Sequence, residues 1–222
     1  MKMFKYFIFI MIPLSVIVFY LWRFASRKHE IPCPFWLRGL VEIDNPLTKS
    51  NKAKVIIEQS KIQPGMHVID FGCGPGRLTV PLAECVCPNG TVTAVDMQVE
   101  MLRRVEKKAA EKNLKNIEFV QGRIGAGELQ LSSCHHALLV NVLGEIPDQQ
   151  AAFTEIYKVL EPKGILTVAE TRFDPHFQKR ENVIALAHKT GFQEKGFHGN
   201  WAAYALQLEK PGDILDRDNP KS

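Results

Sequence analysis

A glycine-rich turn with an acidic residue directly before it is the first feature of this sequence that could do chemistry. Residues 68–76 read VIDFGCGPG, which places Asp70 at the end of a β-branched run and a glycine at every second position after Phe71. Such a turn lets backbone amides approach a ligand closely. A dinucleotide is disfavoured, because its third small residue would fall at Arg77 and its pyrophosphate would meet the Asp70 carboxylate. Two like charges about 4 Å apart cost about 4 kcal/mol at an effective dielectric of about 20.

A positively charged ligand reverses the sign of this electrostatic energy. S-adenosylmethionine carries an ammonium and a sulfonium group at one end and a ribose with free hydroxyls further along, so Asp70 can hold its cationic end directly or through a water. A second acid ends the next β-branched run, TVTAVD, where the Asp96 carboxylate can accept hydrogen bonds from both ribose hydroxyls. The two acids are separated by one helix and one strand, and together they favour S-adenosylmethionine as the ligand.

These residues need a sheet that brings strand ends together. Apolar, β-branched runs predict strands at residues 67–71, 91–95, 117–120, 137–142 and 165–169. Helical patterns lie between them at residues 76–85, 98–112, 148–160 and 175–190, the last ending at Gly191, and an earlier helix is predicted from Asn45-Pro46 to about Ser60. This alternation predicts an α/β fold with a parallel sheet covered on both faces.

The turns between these elements can also be predicted, and the C-terminal end of the chain departs from the alternation. Residues 88–90 and 161–164 have the composition of helix-to-strand turns. Residues 192–197 and 201–209 are strand-like runs joined by His198-Gly199-Asn200, which predicts an antiparallel hairpin. The parallel sheet is therefore expected to finish with one reversed strand.

Five segments together resemble the class I S-adenosylmethionine-dependent methyltransferases, and among these the small bacterial ones with a segment like EIDNPL ahead of the glycine turn. The segments are VIDFGCGPG, TAVDMQVEML, NIEFVQGRIG, HHALLVNVLGEIPDQQ and EIYKVLEPKGILTVAE, and the similarity covers about residues 40–210. The resemblance implies a doubly wound, Rossmann-like sheet of seven strands in the order 3-2-1-4-5-7-6, with the seventh strand antiparallel.

The resemblance also implies which residues contact the cofactor. Those carried over are Asp70, Gly72, Cys73, Gly74 and Gly76 around the methionine end, Asp96 at the ribose, Met97, Arg123 and Ile124 around the adenine, and in addition Asn141 after the fourth strand. Arg123 departs from the family pattern, because an aspartate that accepts the adenine amino group is common there and arginine cannot accept that bond. His136 likewise replaces an aspartate often found at the start of strand four, and we expect it to be structural.

Three residues are candidates for catalysis. Glu145 and Glu170 follow the carboxyl ends of the fourth and fifth predicted strands, where ligands bind in open parallel sheets, and His176 lies a few residues further on. Each could orient a nucleophile or remove its proton. The alternatives are that Glu145 is an acid at a helix start and that His176 is a surface residue. Cys73 could be a reactive thiol at a helix start, but a small residue that fills a tight turn is the favoured interpretation.

Composition restricts the other classes of function. The net charge of +4 arises from basic residues spread along the chain, so no nucleic-acid partner is expected. Five cysteines form an odd set without framework spacing, which indicates reduced thiols. The pair Cys85 and Cys87 could bind a soft metal, but it has no partner CxxC or nearby histidine cluster to complete four ligands. In the run Cys134-His135-His136, neighbouring side chains on a strand would point to opposite faces. We expect no metal.

The N-terminal residues have the composition of a membrane anchor. Residues 6–22, YFIFIMIPLSVIVFYLW, carry no charge. A helix needs about 20 such residues to span a bilayer, and this run approaches that length. Basic residues flank the run, and aromatic residues stand at both ends of it. A cleaved signal peptide is the alternative, but the run is long for a signal core and Ala25-Ser26-Arg27 is a poor cleavage site. A cytosolic cofactor requires the chain after the anchor to lie on the cytoplasmic side.

The sequence therefore predicts a single-pass membrane protein with four parts: an anchor at residues 1–28, an aromatic linker at 29–45, a methyltransferase domain at 46–212 and a polar tail at 213–222. The predicted activity is methyl transfer from S-adenosylmethionine to a small, lipophilic or membrane-associated acceptor, with Phe35-Trp36-Leu37 bordering the entrance. The alternative is a membrane-bound module that binds the cofactor without transfer. Methylation of protein or nucleic acid is disfavoured, because NVLGEIPD stands where such enzymes carry a motif like NPPY.

Overall fold

Strands and helices alternate along residues 52–212, the part of the chain that the computed structural model describes. The seven strands are β1 (His67–Phe71), β2 (Thr91–Asp96), β3 (Ile117–Gln121), β4 (Cys134–Val140), β5 (Leu160–Thr171), β6 (Gln193–Gly199) and β7 (Ala203–Glu209). The helices are α1 (Ala53–Ser60), α2 (Thr79–Val86), α3 (Val99–Glu111), α4 (Gln149–Val159) and α5 (Arg180–Thr190), with a 3-10 helix at Leu143–Glu145.

The seven strands form one sheet in the order β3-β2-β1-β4-β5-β7-β6. Strands β1 to β5 pair in parallel, whereas β7 is antiparallel to both β5 and β6. The predicted strand order and the reversed seventh strand are confirmed. Because β1, β2, β4 and β5 run in the same direction, the residues that follow them meet at one edge of the sheet, which we call the carboxyl edge.

Helices cover both faces of the sheet. Apolar residues of α1, α2 and α3 pack on one face, with Ile56, Leu82 and Val105 fully buried. Helices α4 and α5 pack on the other face, where Phe153 and Phe192 meet edge to face with ring centroids 6.1 Å apart. Because both faces are covered, the central strands are nearly continuous apolar runs, as expected for a parallel sheet.

The predicted turn at residues 161–164 is wrong, because β5 already begins at Leu160. The register between β4 and β5 passes from Cys134 opposite Leu160 to His136 opposite Ile165, so the intervening residues form a bulge in an extended segment. Lys163 has a positive φ of 66° at this point, which explains why the segment looks like a turn in the sequence.

The predicted helix at residues 175–190 is wrong at its start, because α5 begins only at Arg180. The residues before it form turns that side chains stabilise: Asp174 Oδ1 accepts from the N–H of His176 at 2.7 Å, and Glu170 Oε2 accepts from the N–H of Gln178 at 3.2 Å. Local bonds of this kind compete with helix formation. The end of the helix is confirmed, since Gly191 caps it with a φ of 103°.

The predicted anchor, the linker, the tail and the first residues of the earliest predicted helix lie outside the described residues. None of the helices between residues 52 and 212 has both the length and the hydropathy needed to span a bilayer. The anchor, the domain boundaries and the cytoplasmic placement therefore stay predictions.

Candidate active site

The glycine turn is fixed from three sides. The N–H groups of Gly72 and Cys73 both donate to the carbonyl of Val95 in β2, at 2.8 and 3.0 Å. A Cβ on Gly72 would lie 2.4 Å from Val142 Cγ2, so glycine is required there by close packing as well as by its φ of 68°. Helix α3 supports the other end of the turn, where Lys108 Nζ donates to the carbonyl of Pro75 at 2.8 Å. Gly76, at the end of the turn, is buried against Val105 of α3.

Gly74 is the part of the turn that leaves room for a ligand. It has a φ of 51°, and a Cβ built on it would have no heavy atom within 4 Å. Its N–H donates to Asp96 Oδ2 at 2.9 Å, which holds the turn and the end of β2 together. The turn therefore presents open backbone surface beside the Asp96 carboxylate.

Asp70 is buried beneath the turn, with 2% of its surface exposed. Burial raises the pKa of its carboxyl to about 6, although the hydrogen bond from Thr79 and the charge of Arg77 act in the opposite direction. Thr79 Oγ1 donates to Asp70 Oδ2 at 2.6 Å. A cation close to this carboxyl group would lower its pKa and favour the ionised form. The ionised carboxylate would in turn stabilise the bound cation.

Asp96 ends β2 and accepts two backbone amides. Besides the bond from Gly74, its Oδ1 accepts from the N–H of Gln98 at 2.8 Å. Burial raises the pKa of Asp96, and these two bonds oppose the shift. A carboxylate has about four lone-pair positions, so Asp96 keeps acceptor capacity for the hydroxyls of a ribose.

The residues predicted to surround the adenine follow β2 and β3. Met97 is 41% exposed, Arg123 is exposed, and Ile124 packs partly against the core. Glu128 was missed from the sequence: its Oε1 accepts from the backbone N–H of Arg123 at 3.1 Å. It therefore places a carboxylate beside the position where the family pattern has one and this chain has arginine.

Acidic residues and a histidine form a second cluster at the carboxyl edge, composed of Glu145, Glu170, Asp174 and His176. His176 Nδ1 lies 3.8 Å from Glu145 Oε1 and 3.8 Å from Asp174 Oδ1, which is too long for a hydrogen bond. The His176 side chain is 6% exposed, so the alternative that it is a surface residue is wrong. Glu145 ends the 3-10 helix rather than starting a helix. All three predicted catalytic residues thus come together.

Three buried polar atoms in this cluster have no hydrogen-bond partner among the described residues: Glu170 Oε1, His176 Nδ1 and His176 Nε2. Buried polar groups are nearly always paired, so unpaired atoms mark a place for a water or a ligand group. Burial raises the pKa of Glu170 well above its ordinary value, and the carboxylates of Asp174 and Glu145 raise it further. Burial therefore favours the protonated form of Glu170, which can donate a hydrogen bond.

The acidic cluster lies next to the glycine turn. Val142, which packs against Gly72, is followed directly by the 3-10 helix that carries Glu145. Asn141 lies between β4 and Val142 with a φ of 56° and donates its N–H to the carbonyl of Ala169 at 2.9 Å. A left-handed conformation in a residue other than glycine is often found at functional sites.

One histidine and one thiol have structural surroundings. His136 is buried, its Nε2 lies 2.8 Å from Thr167 Oγ1, and burial lowers its pKa to about 3, so it is a neutral core residue as expected. The Cys73 thiol is buried, and this burial together with Asp70 and Asp96 raises its pKa well above the ordinary value, which disfavours the reactive-thiol alternative. Among residues 52–212, no group of three or more His, Cys, Asp or Glu side chains could hold a metal ion.

A comparison with protein families decides the assignment. A family model described as "Methyltransferase domain" matches residues 62–211, more than half of the chain. The chain belongs to this methyltransferase family. Its fold agrees with that of an S-adenosylmethionine-dependent methyltransferase from Aquifex aeolicus, with a TM-score of 0.70 at 16% identity over 80% of this chain and 99% of that one. A putative methyltransferase from Bacillus halodurans gives a TM-score of 0.63 at 12% identity over 72% and 98% of the two chains.

Curated relatives cover only part of the methyltransferase. A demethylmenaquinone methyltransferase of Lactococcus lactis is 35% identical over 107 residues, which are 48% of this chain and 42% of the relative. An uncharacterized 37.1 kDa protein in a transposon of Streptomyces fradiae is 28% identical over 152 residues, 68% of this chain and 44% of that protein. This chain thus spans less than half the length of either relative.

The methyltransferase domain fits its cofactor, S-adenosylmethionine. Gly74 leaves open space at the turn, Asp96 keeps acceptor capacity beside it, and Asp70 supplies a carboxylate whose ionisation a cation would favour. When bound, the cofactor supplies an activated methyl group. The protein's part is then to align the acceptor with that methyl group, and such positioning is worth up to about 7 to 11 kcal/mol.

Proposed function

We propose that this methyltransferase acts on a small, lipophilic acceptor delivered from a membrane, to which residues 1–28 anchor the domain on the cytoplasmic side. The observation that carries the proposal is the acidic cluster beside the glycine turn, with its three unpaired buried atoms. In this account the acceptor's polar group pairs with those atoms, while its apolar body remains outside the cluster.

Glu170 and His176 have different roles in catalysis, because their surroundings favour different charges. Burial raises the pKa of Glu170 and favours its protonated form, which donates a hydrogen bond that orients the acceptor. His176 is the residue placed to receive a proton, because the carboxylates of Glu145 and Asp174, each 3.8 Å from its Nδ1, stabilise the charge that it gains. With the cofactor bound, the acceptor's electron pair would form the new bond to the methyl carbon while the bond from that carbon to the sulfonium sulfur breaks and leaves its electrons on sulfur. His176 would take the proton that the acceptor loses.

The lipophilic character of the acceptor is supported by two independent features. Relatives named demethylmenaquinone methyltransferase are 29 to 35% identical over about half of this chain. The charge-free run at residues 6–22 would hold the domain close to a bilayer, where lipophilic molecules concentrate.

A transfer assay tests the proposal. Full-length protein in detergent would be incubated with methyl-labelled S-adenosylmethionine and a lipid extract from a strain that lacks the gene. We expect label in the organic phase. His176→Ala should lower the transfer rate about 100-fold or more without weakening cofactor binding, since general acid–base catalysis contributes about 10² to 10⁴.

The matched control is His188→Ala, because His188 is exposed on α5 and should leave the rate unchanged. Absence of label from every extract, with cofactor binding intact by calorimetry, would favour the non-catalytic module instead.

A further inference from the structure

An aromatic and basic surface lies at the same edge of the sheet as the acidic cluster. We call it the aromatic rim and define it by Phe173, Phe197 and Trp201 together with Arg172, Lys179 and Arg180. Trp201 is 75% exposed, Phe173 47% and Phe197 43%, which makes them the three most exposed large apolar residues of the described chain. Large apolar groups exposed together mark interaction sites.

Contacts within the fold place the rim segments side by side. The last residue of β5, Thr171, pairs with the first residue of β7, Ala203, so the residues after 171 and before 203 lie at one end of the sheet. The N–H of Arg172 donates to the carbonyl of Ala202 at 2.9 Å, which brings Phe173 and Trp201 onto adjacent segments.

Tyr204 connects the rim to the acidic cluster. It pairs with Glu170 across β5 and β7, and its ring stacks with Phe197 at a centroid distance of 6.2 Å. Its hydroxyl donates to the carbonyl of Gln178 at 2.8 Å, in the segment that carries His176. A single residue, Tyr204, therefore lies between Phe197 of the rim and Glu170 of the acidic cluster.

The charges of the rim are mainly basic. Arg180 lies over the Phe197 ring at 4.6 Å and pairs with Glu194 at 2.8 Å, while Arg172 and Lys179 are exposed. Glu181 is the exposed acid next to Arg180. Tryptophan and phenylalanine beside arginine and lysine are typical of surfaces that lie in the headgroup region of a bilayer.

We propose that the aromatic rim docks on an anionic membrane surface and holds the entrance of the acceptor site against it. This inference deepens the proposed function and rests on it, because it requires the domain to work at a membrane. A second copy of the chain is a less suitable partner, since a two-fold interface would bring Arg172 and Lys179 of both copies together.

The length of the linker explains why a docking surface is needed. The predicted linker at residues 29–45 could extend over about 55 Å, so the predicted anchor alone would leave the orientation of the domain free. Once the anchor confines the domain near the bilayer, even a weak second contact is enough to orient it.

Fluorescence of Trp201 tests the rim, because the chain has only three tryptophans. Full-length protein with Trp22→Phe and Trp36→Phe would be reconstituted into vesicles of phosphatidylcholine and phosphatidylglycerol, the former brominated near the top of its acyl chains. We expect bromine to quench Trp201 about twofold or more, and Lys179→Glu to lessen this quenching.

The matched control moves the reporter to β3, at the opposite edge of the sheet. Phe119 is 38% exposed, and Phe119→Trp in a background that also carries Trp201→Phe should show no quenching. Equal quenching at both positions, or none at Trp201, would overturn the proposal. So would protection of Trp201 from aqueous iodide without bromine quenching, since protein would then cover the rim.

Cofactor binding and methyl transfer, measured on the same vesicles, separate the two proposals. Intact transfer to the lipid acceptor with an unquenched Trp201 would reject the rim alone. Quenching of Trp201 without any transfer would leave the rim standing and reject the proposed function.

Discussion

Asp70 is a buried carboxyl group whose ionisation is coupled to ligand binding. With its pKa raised to about 6, it is partly protonated in mildly acidic solution, and a cationic ligand must displace that proton. We therefore predict that the affinity for S-adenosylmethionine rises as the pH increases from about 5 to 7. Asp70→Asn should bind more weakly and lose most of this pH dependence, which calorimetry in buffers of different ionisation enthalpy can measure.

Stability gives an independent check on Asp70. Its folded pKa lies above its unfolded value of 3.8, so the folded state holds the proton longer, and the free energy of unfolding falls as the pH rises between the two values. Relative to Asp70→Asn, the unliganded wild type should lose on the order of 2 to 3 kcal/mol between about pH 4 and 7. A constant difference across this range would contradict the assignment.

Sequence reasoning found the acids of the cofactor side but not their partners. Asp70 and Asp96 end apolar strands, and that pattern is visible in the sequence. The carboxylate of Glu128 beside Arg123 and the hydroxyl of Thr79 on Asp70 depend on how a loop and a helix fold back, which no local spacing encodes. Asp174 was missed for the same reason.

At the scale of the elements, two glycines of the same turn have different roles: Gly72 is needed for packing, whereas Gly74 borders the open space expected to hold the ligand. Gly72→Ala would bring a methyl to within 2.4 Å of the Val142 side chain, so we predict a loss of stability that Val142→Ala partly restores.

Gly74→Ala should cost only about 1 to 2 kcal/mol of backbone strain, because its Cβ meets nothing, yet weaken cofactor binding at least tenfold. Urea unfolding and calorimetry on the three variants measure these effects. An unchanged affinity in Gly74→Ala would place the cofactor elsewhere.

The segment between β5 and α5 depends on Glu170, whose pKa burial raises well above its ordinary value. Because this shift favours the protonated carboxyl, Glu170→Gln should change the free energy of unfolding by less than about 1 kcal/mol, whereas Glu170→Ala leaves the Gln178 N–H unpaired and should cost about 2 to 3 kcal/mol. Urea unfolding near neutral pH measures both.

The control is Glu84→Gln at the exposed pair with Lys112, which should be nearly neutral. The wild type should also lose stability relative to Glu170→Gln as the pH rises above the unfolded pKa of 4.5, because the folded state retains its proton. Greater stability of the wild type in alkali would mean that Glu170 is ionised and paired.

The elements themselves were largely predictable, and the errors have local causes. Strands with apolar runs and the end of α5 at Gly191 follow from periodicity and glycine geometry. The predicted start of α5 is too early, because Asp174 and Glu170 hold the preceding residues in turns through bonds from the N–H groups of His176 and Gln178. The bulge in β5 was read as a turn, since its proline and glycine suit either.

At the scale of the whole molecule, the sheet brings the glycine turn, Asp96 and the acidic cluster together along its carboxyl edge. The order of strands followed from resemblance rather than from periodicity, which cannot rank non-local pairings. The aromatic rim was not foreseen, because its residues come from three separate segments and acquire a common surface only when β5 pairs with β7.

Ligand binding at this edge should stabilise the entire domain, because the site is built from loops after four strands. We predict that S-adenosylmethionine at 100 times its Kd raises the free energy of unfolding by about 2.7 kcal/mol. Thermal unfolding followed by circular dichroism, with and without cofactor, measures the shift. ATP at the same concentration should produce none, since its phosphates would meet Asp70.

We expect the Asp96 carboxylate to face the ribose, and recognition of the cofactor depends most directly on that contact. The decisive measurement is calorimetric titration of S-adenosylmethionine into Asp96→Asn, beside Asp148→Asn, where the exchange keeps the hydrogen bond that caps α4. We predict that Asp96→Asn lowers the affinity at least tenfold and that Asp148→Asn leaves it unchanged. Wild-type affinity in a folded Asp96→Asn variant would contradict the account.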